Sequence, residues 1–274
     1  MADPVDASRR TEERSGTRIT VLGSCGAWPE AGAACSGFLV EHDGFRLLID
    51  LGYGTFPRLQ MLITPDQVDA IFISHGHPDH CVDLNPLLRA RALTGSPVPP
   101  LPIFAPAGAL DAVLALDRPG MLDQAYRMQQ LGDGDRFDIG PFDCLTSLLP
   151  HWLPNLGIRL TAGDRVIAYT GDSGPSPRIP VLAAAADLLI ADATFPDQVP
   201  PDDREFLTNA RRAAAQATEA GVHRLMLTHL WPGTDPVVAA SAAAEQFAGR
   251  IDVAVGGLVV ELAGAGQPPG ASKC

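Results

Sequence analysis

The chain has 274 residues, 46% of them hydrophobic and 19% charged, a composition that can bury a sizeable core and that excludes a disordered or fibrous protein. Its 20 basic residues (Lys273 is the only lysine) face 32 acidic ones, and the net charge of −12 disfavours a general binder of nucleic-acid backbones. No run approaches the roughly 18–20 apolar residues of a membrane span, and the polar opening MADPVDASRRTEERSGT reads as neither signal peptide nor anchor, so a cytoplasmic protein without a membrane partner is expected.

Residues 1–16 are read as a flexible tail, 17–263 as one folded domain and 264–274 as a second flexible tail. Within the domain, strands are predicted over 18–22, 37–41 and 45–50, the last two joined at Asp43-Gly44, a strong hairpin dipeptide. The apolar run VDAIFIS, 68–74, is a strand that feeds straight into His75. A helix over 83–92, a strand over 103–105, a helix over 107–116 and strands over 136–139 and 142–149 follow. Strands at 156–161 and 165–170 flank the turn Ala162-Gly163-Asp164, and DLLIA, 187–191, is a buried strand. An Ala-rich helix over 208–220 stops at Gly221. After a strand at 225–228 comes a helix over 236–248, capped by Asp235 with proline at its first position, and 253–262 closes as a strand. Strands interleaved with helices in both halves imply a layered α/β domain.

The sharpest feature is Ser74-His75-Gly76-His77-Pro78-Asp79-His80. Three imidazoles and a carboxylate within six residues cannot share one face of a strand or helix, whereas a loop containing Gly and Pro can turn them toward one point. Neutral imidazole and carboxylate are the ligand set of zinc and similar divalent ions. His151, Asp172 and His229 each follow a further apolar strand, where α/β folds place ligands. A lone histidine at a strand end is usually a hydrogen-bonded structural residue, and structural zinc usually takes closed, cysteine-rich sets. The five cysteines here are scattered without paired spacing and read as reduced thiols, with Cys81 a buried one. Asp50 reads as a carboxylate that orders the ligand loop rather than as a ligand. His42 and His223 read as surface residues, and Arg89/Arg91 and Arg211/Arg212 as solvated helix faces.

HGHPDH at 75–80, His151, the TGDS of 170–173 and the THL of 228–230 resemble the metallo-β-lactamase superfamily, in particular its ribonuclease Z-like branch, which includes cyclic phosphodiesterases. ITVLGSCG, SGFLVE, LLIDLGYG, ADLLIADATF and AGVHRLMLTH carry the resemblance over residues 18–262. It implies a four-layered αβ/βα sandwich in a single domain, with two divalent metals at the edge between its halves. His75, His77 and His151 would hold one metal, Asp79, His80 and His229 the other, and Asp172 would bridge them. Zinc is the first expectation for both, with manganese or iron as alternatives. Two cations about 3.5–4 Å apart acidify a shared water and neutralise charge developing on a phosphoryl or acyl oxygen. Asp79 is then the catalytic residue, accepting a hydrogen bond or proton from the bridging hydroxide. Relatives in this branch are often homodimers, an assembly carried over here from the resemblance alone.

Two departures narrow the expectation. Ribonuclease Z enzymes that process transfer-RNA precursors carry a long basic arm between the ligands that match His151 and Asp172, which here are only 21 residues apart. With no arm and a net charge of −12, transfer-RNA processing is not expected and a small-molecule substrate is. Related phosphodiesterases also place a histidine where this chain has Glu205-Phe206-Leu207-Thr208, and ADAT at 191–194 lacks a histidine often found there. Losing such a proton donor costs about 10²–10⁴-fold on a poor leaving group, unless Asp202, Asp203 or Arg204 replaces it. The expected activity is therefore hydrolysis of a small phosphodiester, with cyclic nucleotides among the candidates. An ester, lactone or thioester hydrolase, or a biosynthetic lyase or cyclase on the same metals, is the alternative. A diiron redox protein of this fold would carry an acidic residue in place of His77 and a flavin domain, and this chain has neither.

Overall fold

A computed structural model describes residues 16–95 and 98–263. The tails expected at 1–16 and 264–274 lie outside the described residues, except for Gly16, which opens the first strand.

Two seven-stranded sheets face each other, the first from the first half of the chain plus one late strand, the second from the second half. The first is built from β1 (Gly16–Gly23), β2 (Gly37–His42), β3 (Phe45–Leu51), β4 (Ala70–Phe72), β5 (Leu101–Pro106), β6 (Tyr126–Leu131) and, from much later in the sequence, β14 (Val259–Ala263). The second is built from β7 (Arg136–Ile139), β8 (Phe142–Leu149), β9 (Asn155–Ala162), β10 (Arg165–Tyr169), β11 (Leu188–Asp192), β12 (Arg224–Thr228) and β13 (Arg250–Val253). Each half begins with antiparallel pairs and continues with parallel ones, from β3 in the first sheet and from β10 in the second. The β2–β3 turn has φ of 46° at Asp43 and 84° at Gly44, the doubly left-handed turn that matches strand twist.

Period-two alternation makes the layers. In β3, Leu47 and Ile49 enter the core between the sheets while Leu48 turns outward. In β11, Leu188 and Ile190 point inward and Leu189 and Ala191 outward. The central core therefore joins Phe38, Phe72, Phe142, Ile158, Tyr169 and Met226 from both sheets. The outer face of the first sheet is covered by α1 (Thr55–Gln60) and α3 (Leu84–Leu93), through Leu59, Leu84, Leu87 and Leu88. The outer face of the second is covered by α6 (Ala210–Ala220) and α7 (Pro236–Ala244), whose buried alanines let backbone approach sheet closely. Helix, sheet, sheet and helix form the expected four-layered sandwich in one domain.

The helix caps agree with the sequence: Asp235 accepts from the Val237 amide, and Gly221 ends α6 with φ of 65°. Other expectations need correction. Of the closing strand over 253–262, Val253 is the last residue of β13 and 259–262 lie in β14 (Val259–Ala263), in different sheets, with a turn between them in which Gly257 has φ of 91°. β14 pairs with β1, so after β13 in the second sheet the chain crosses back to the edge of the first. The helix over 107–116 shrinks to α4 (Asp111–Leu114), and the one over 236–248 ends at Ala244. β6 was not expected, since YRMQQL is mostly polar and lies on a sheet edge with one neighbour. Arg91 is not on a solvated face: it is buried and donates to the carbonyls of Pro65, Val68 and Pro99. Its partner in that reading, Arg89, pairs with Asp117. His42 is half-buried, hydrogen-bonded to Thr17 and tilted against Phe142, whereas His223 is exposed as expected. Among the described residues no helix is long and apolar enough to cross a membrane.

Candidate metal centre

Strand ends from both halves meet at one edge of the sandwich. Past β4 the chain stays extended, and Ser74 accepts from the Leu156 amide of β9, which fixes the first half against the second. Pro78 then opens the short helix α2 (Pro78–Cys81), with His77 in extended conformation just before it. That turn sends His77 to one side and Asp79 and His80 to the other. Gly52 allows it, because a Cβ there would lie 1.8 Å from the Asp79 carbonyl. Gly171, at φ 60°, sits where a Cβ would strike Asn155 and Ser74, and it delivers Asp172 between the two groups. His229 and Asp50 are themselves left-handed, at φ 61° and 56°. For residues other than glycine such strain costs about 1–3 kcal/mol each, and it gathers where geometry serves function.

All seven side chains singled out in the sequence come together, in two groups that share Asp172. One is His75, His77, His151 and Asp172; the other is Asp79, His80, Asp172 and His229; within each, the candidate ligand atoms lie within 4.8 Å of one another. In the first group His77 Nδ1 is 3.0 Å from both His75 Nε2 and His151 Nε2. Asp172 Oδ2 lies 3.8 Å from His75 Nε2 and 3.9 Å from His151 Nε2. In the second, His229 Nε2 is 3.1 Å from Asp172 Oδ2 and 3.2 Å from Asp79 Oδ2, and His80 Nε2 is 3.1 Å from Asp172 Oδ1.

The outward nitrogens decide what faces inward. His80 Nδ1 donates to Asp50 Oδ2 at 2.7 Å, and His151 Nδ1 donates to the Phe206 carbonyl at 3.1 Å. Ser74 Oγ already donates to Asp50, so it accepts from His75 Nδ1 at 3.1 Å. Thr194 Oγ1 donates to Asp192, so it accepts from His229 Nδ1 at 2.9 Å. Four imidazoles therefore keep their N–H outside and aim an Nε2 lone pair at the centre. Lone pairs facing carboxylates need a cation between them. His80 Nε2 and Asp172 Oδ1 are buried with no hydrogen-bond partner in the protein, so the donor set fits divalent metal ions.

The protonation of the protein alone shows the same demand. Burial alone would lower His80 and His229, but Asp172 and its neighbours outweigh it, holding His80 well above the usual range and His229 at about 9. Burial favours the neutral acid at Asp79, yet His80 and His229 pull it down to about 2. His75, His77 and His151 are pushed down, chiefly by burial, and stand as neutral bases.

Asp50 takes the ordering role read from the sequence, accepting from the Ser74 amide and hydroxyl, His80 and the Tyr169 hydroxyl. Cys81 is buried. Sequence reasoning gave no role to Asp192 and Thr194, which hold His229, nor to the Ala27 amide, which donates to Asp79 Oδ2 at 2.9 Å. Asp192 directly follows the apolar run DLLIA, the signal that singled out Asp172, and that signal would have found it.

A family model for a β-lactamase superfamily domain matches residues 45–230. An uncharacterised protein of Mycobacterium leprae, ML1173, is 31% identical over 89% of this chain and 88% of its own. A ribonuclease Z of Myxococcus xanthus is 27% identical over 89% of this chain and 97% of its own. The crystal structure of the metallo-β-lactamase fold protein YhfI from Bacillus subtilis superposes with a TM-score of 0.83 at 27% identity, over 90% of this chain and all of that one.

Proposed function

The chain belongs to the metallo-β-lactamase superfamily, with ribonuclease Z-like relatives, and from that premise we propose that it hydrolyses a small phosphodiester, cyclic nucleotides included, at a centre of two divalent metal ions. The observation that carries this is the pair of donor groups sharing Asp172. Two ions there would supply Lewis-acid polarisation of a phosphoryl oxygen and a more acidic water. His75, His77 and His151 would hold one and Asp79, His80 and His229 the other, with Asp172 common to both donor groups. Zinc is the proposed metal, since one group offers three imidazoles and a carboxylate and the other two of each, and zinc takes both donor types.

Asp79 is the proposed catalytic carboxylate. Its low pKa keeps it anionic, and the Ala27 amide fixes its Oδ2, so it orients the attacking water as a hydrogen-bond acceptor. The stretch between His151 and Asp172 folds as the tight β9–β10 hairpin, with no basic arm to hold a transfer RNA. That supports a small substrate over RNA, although the Myxococcus relative is a ribonuclease by name.

The test is to incubate purified protein with zinc or manganese and a panel of cyclic nucleotides and bis(aryl) phosphates. Turnover that His77→Ala abolishes supports the proposal, and no turnover above that variant overturns it. One observation favours a second reading. The stretch 205–208, where related phosphodiesterases are expected to place a histidine, has none, and the ring of Phe206 lies 5.1 Å from Trp152, making that wall apolar. A thiolate or stabilised enolate leaves without being protonated, so acyl substrates turned over where phosphodiesters are inert would favour an ester, lactone or thioester hydrolase.

A further inference from the structure

Every tryptophan of this chain lies at the rim of the candidate metal centre. There are three in 274 residues. None is in the core: Trp28 is 47% exposed, Trp152 49% and Trp231 39%. Trp152 follows His151, Trp231 follows His229 by two residues, and Trp28 follows Ala27, whose amide holds Asp79. Indoles left half in water forgo burial that a core position would give them, so the fold gains nothing evident from this placement.

The two rims differ. Trp28 and Trp231 meet edge to face at 5.0 Å, and Trp231 stacks on Phe195 at 18° and 5.8 Å, so that cluster is occupied with itself. Trp152 is backed on one side by Phe206, at 36° and 5.1 Å, and meets His151 edgewise at 5.1 Å. It also lines a cleft of about 520 Å³ running past Leu149, His151, Leu153 and Arg178. Pro150 and Pro154 bracket the segment, and the Pro150 carbonyl accepts from the Gly174 amide, which fixes the platform relative to Asp172.

Charge argues in the same direction. The protein carries −12, and among the described residues no arginine hydrogen-bonds or ion-pairs with any of the seven ligand side chains. Arg178, which lines the cleft, already pairs with Asp133. Choice among phosphates then falls to the uncharged part of the substrate. An exposed, backed indole beside a cleft is the surface on which a flat ring stacks, and stacking tolerates any ring with a π-face.

We propose that Trp152, backed by Phe206, is a stacking platform for a planar heteroaromatic group, such as a nucleobase, on the molecule whose phosphate the metal centre takes. The placement of the phosphate rests on the phosphodiester reading; the stacking rests on Trp152, Phe206 and the cleft.

Calorimetric titration of the zinc-loaded full chain with adenosine 5′-monophosphate and with ribose 5-phosphate tests it. The wild type is expected to bind the base-carrying probe about tenfold more tightly or better. Trp152→Ala should erase that preference without weakening ribose 5-phosphate, and Trp152→Phe should keep most of it. Trp231→Ala should leave the preference intact. Equal binding of the two probes by the wild type, a preference that survives Trp152→Ala, or a loss confined to Trp231→Ala would overturn the proposal. Phosphodiesters inert in the turnover panel, with the Trp152-dependent preference present, would instead overturn the phosphodiester reading alone.

Discussion

Asp50 Oδ2 and His80 Nδ1 lie 2.7 Å apart, both side chains fully buried, and this contact fixes which nitrogen of His80 faces the centre. Asp50 also holds Ser74 and the Tyr169 hydroxyl, the latter 119 residues away in the other sheet. One carboxylate thus links the ligand loop of the first half to a strand of the second. An asparagine would present an amide N–H₂ to neighbours that are themselves donors. Asp50→Asn is therefore expected to weaken zinc binding by about 10–100-fold, read by chelator competition. Unchanged affinity would show that the His80 tautomer is set elsewhere.

Thr194 acts on His229 in the same way. Its hydroxyl donates to Asp192 at 2.7 Å and accepts from His229 Nδ1 at 2.9 Å, at a residue with no exposure. Thr194→Val keeps the shape and removes the relay. The expected outcome is roughly tenfold weaker binding of one of two metals, seen as a drop toward one zinc per chain after limited dialysis, with Thr194→Ser near wild type. Loss of both metals together would point to a folding defect instead.

The candidate ligands were legible because each is announced locally. HGHPDH puts unlike donors in one short loop, and His151, Asp172 and His229 each end an apolar run. The doubling of the sheets was implied by the resemblance and not by periodicity, since the apolar residues of LLID and DLLIA run continuously and are buried on both faces. What escaped depends on contacts across the chain. Nothing near Arg91 says that three carbonyls from 65, 68 and 99 will surround it. The run 253–262 looks like one strand because it is largely apolar, and only the partners β12 and β1 assign Val253 and 259–262 to different sheets. Hydroxyl relays such as that of Thr194 have no sequence period at all, since they are fixed by where a strand end happens to meet an imidazole.

Metal-free protein should lose stability as pH rises above 6.5. His229 goes from 6.5 to about 9 on folding, after the carboxylates of Asp172 and Asp79 overcome burial. A raised pKa contributes stability that is full below 6.5 and lost as pH rises through 9. His80 is raised too, against its own burial, by Asp172 and Asp50, and adds to the fall. Asp192, pushed from 3.8 to about 7 by burial and then by Asp172, loses its last contribution at the start of the same window. Below 6.5 the sign turns for His75, His77 and His151, whose lowered pKa values make charging them costly. At the acid end, Asp79 goes from 3.8 to about 2 and its contribution is lost as pH falls through 2. Thermal melts of chelator-treated protein should therefore peak near pH 6.5 and decline toward 9. Zinc-loaded protein should show no such alkaline decline, because the metal takes the place of the protons. Parallel profiles for the two forms would mean that the site does not titrate as a metal-replaceable pair.

The wall at Phe206 predicts how rate depends on the leaving group. Phe206 gives its carbonyl to His151 and its ring to Trp152, so this position donates no proton to a departing oxygen. Without protonation, the leaving oxygen carries nearly a full negative charge in the transition state. The rate on a series of aryl phosphodiesters should then fall steeply as the leaving phenol becomes less acidic. Phe206→His adds a protonatable group and keeps the backbone carbonyl that His151 uses. It is expected to flatten that dependence, raising kcat by about 10²-fold or more for the poorest leaving groups and leaving nitrophenyl esters nearly unchanged. KM should rise for substrates that carry a base, since the indole of Trp152 loses its backing. A dependence already shallow in the wild type would mean that another side chain supplies the proton, with Asp203, on the turn whose carbonyl accepts from the Phe206 amide, the first to replace by asparagine.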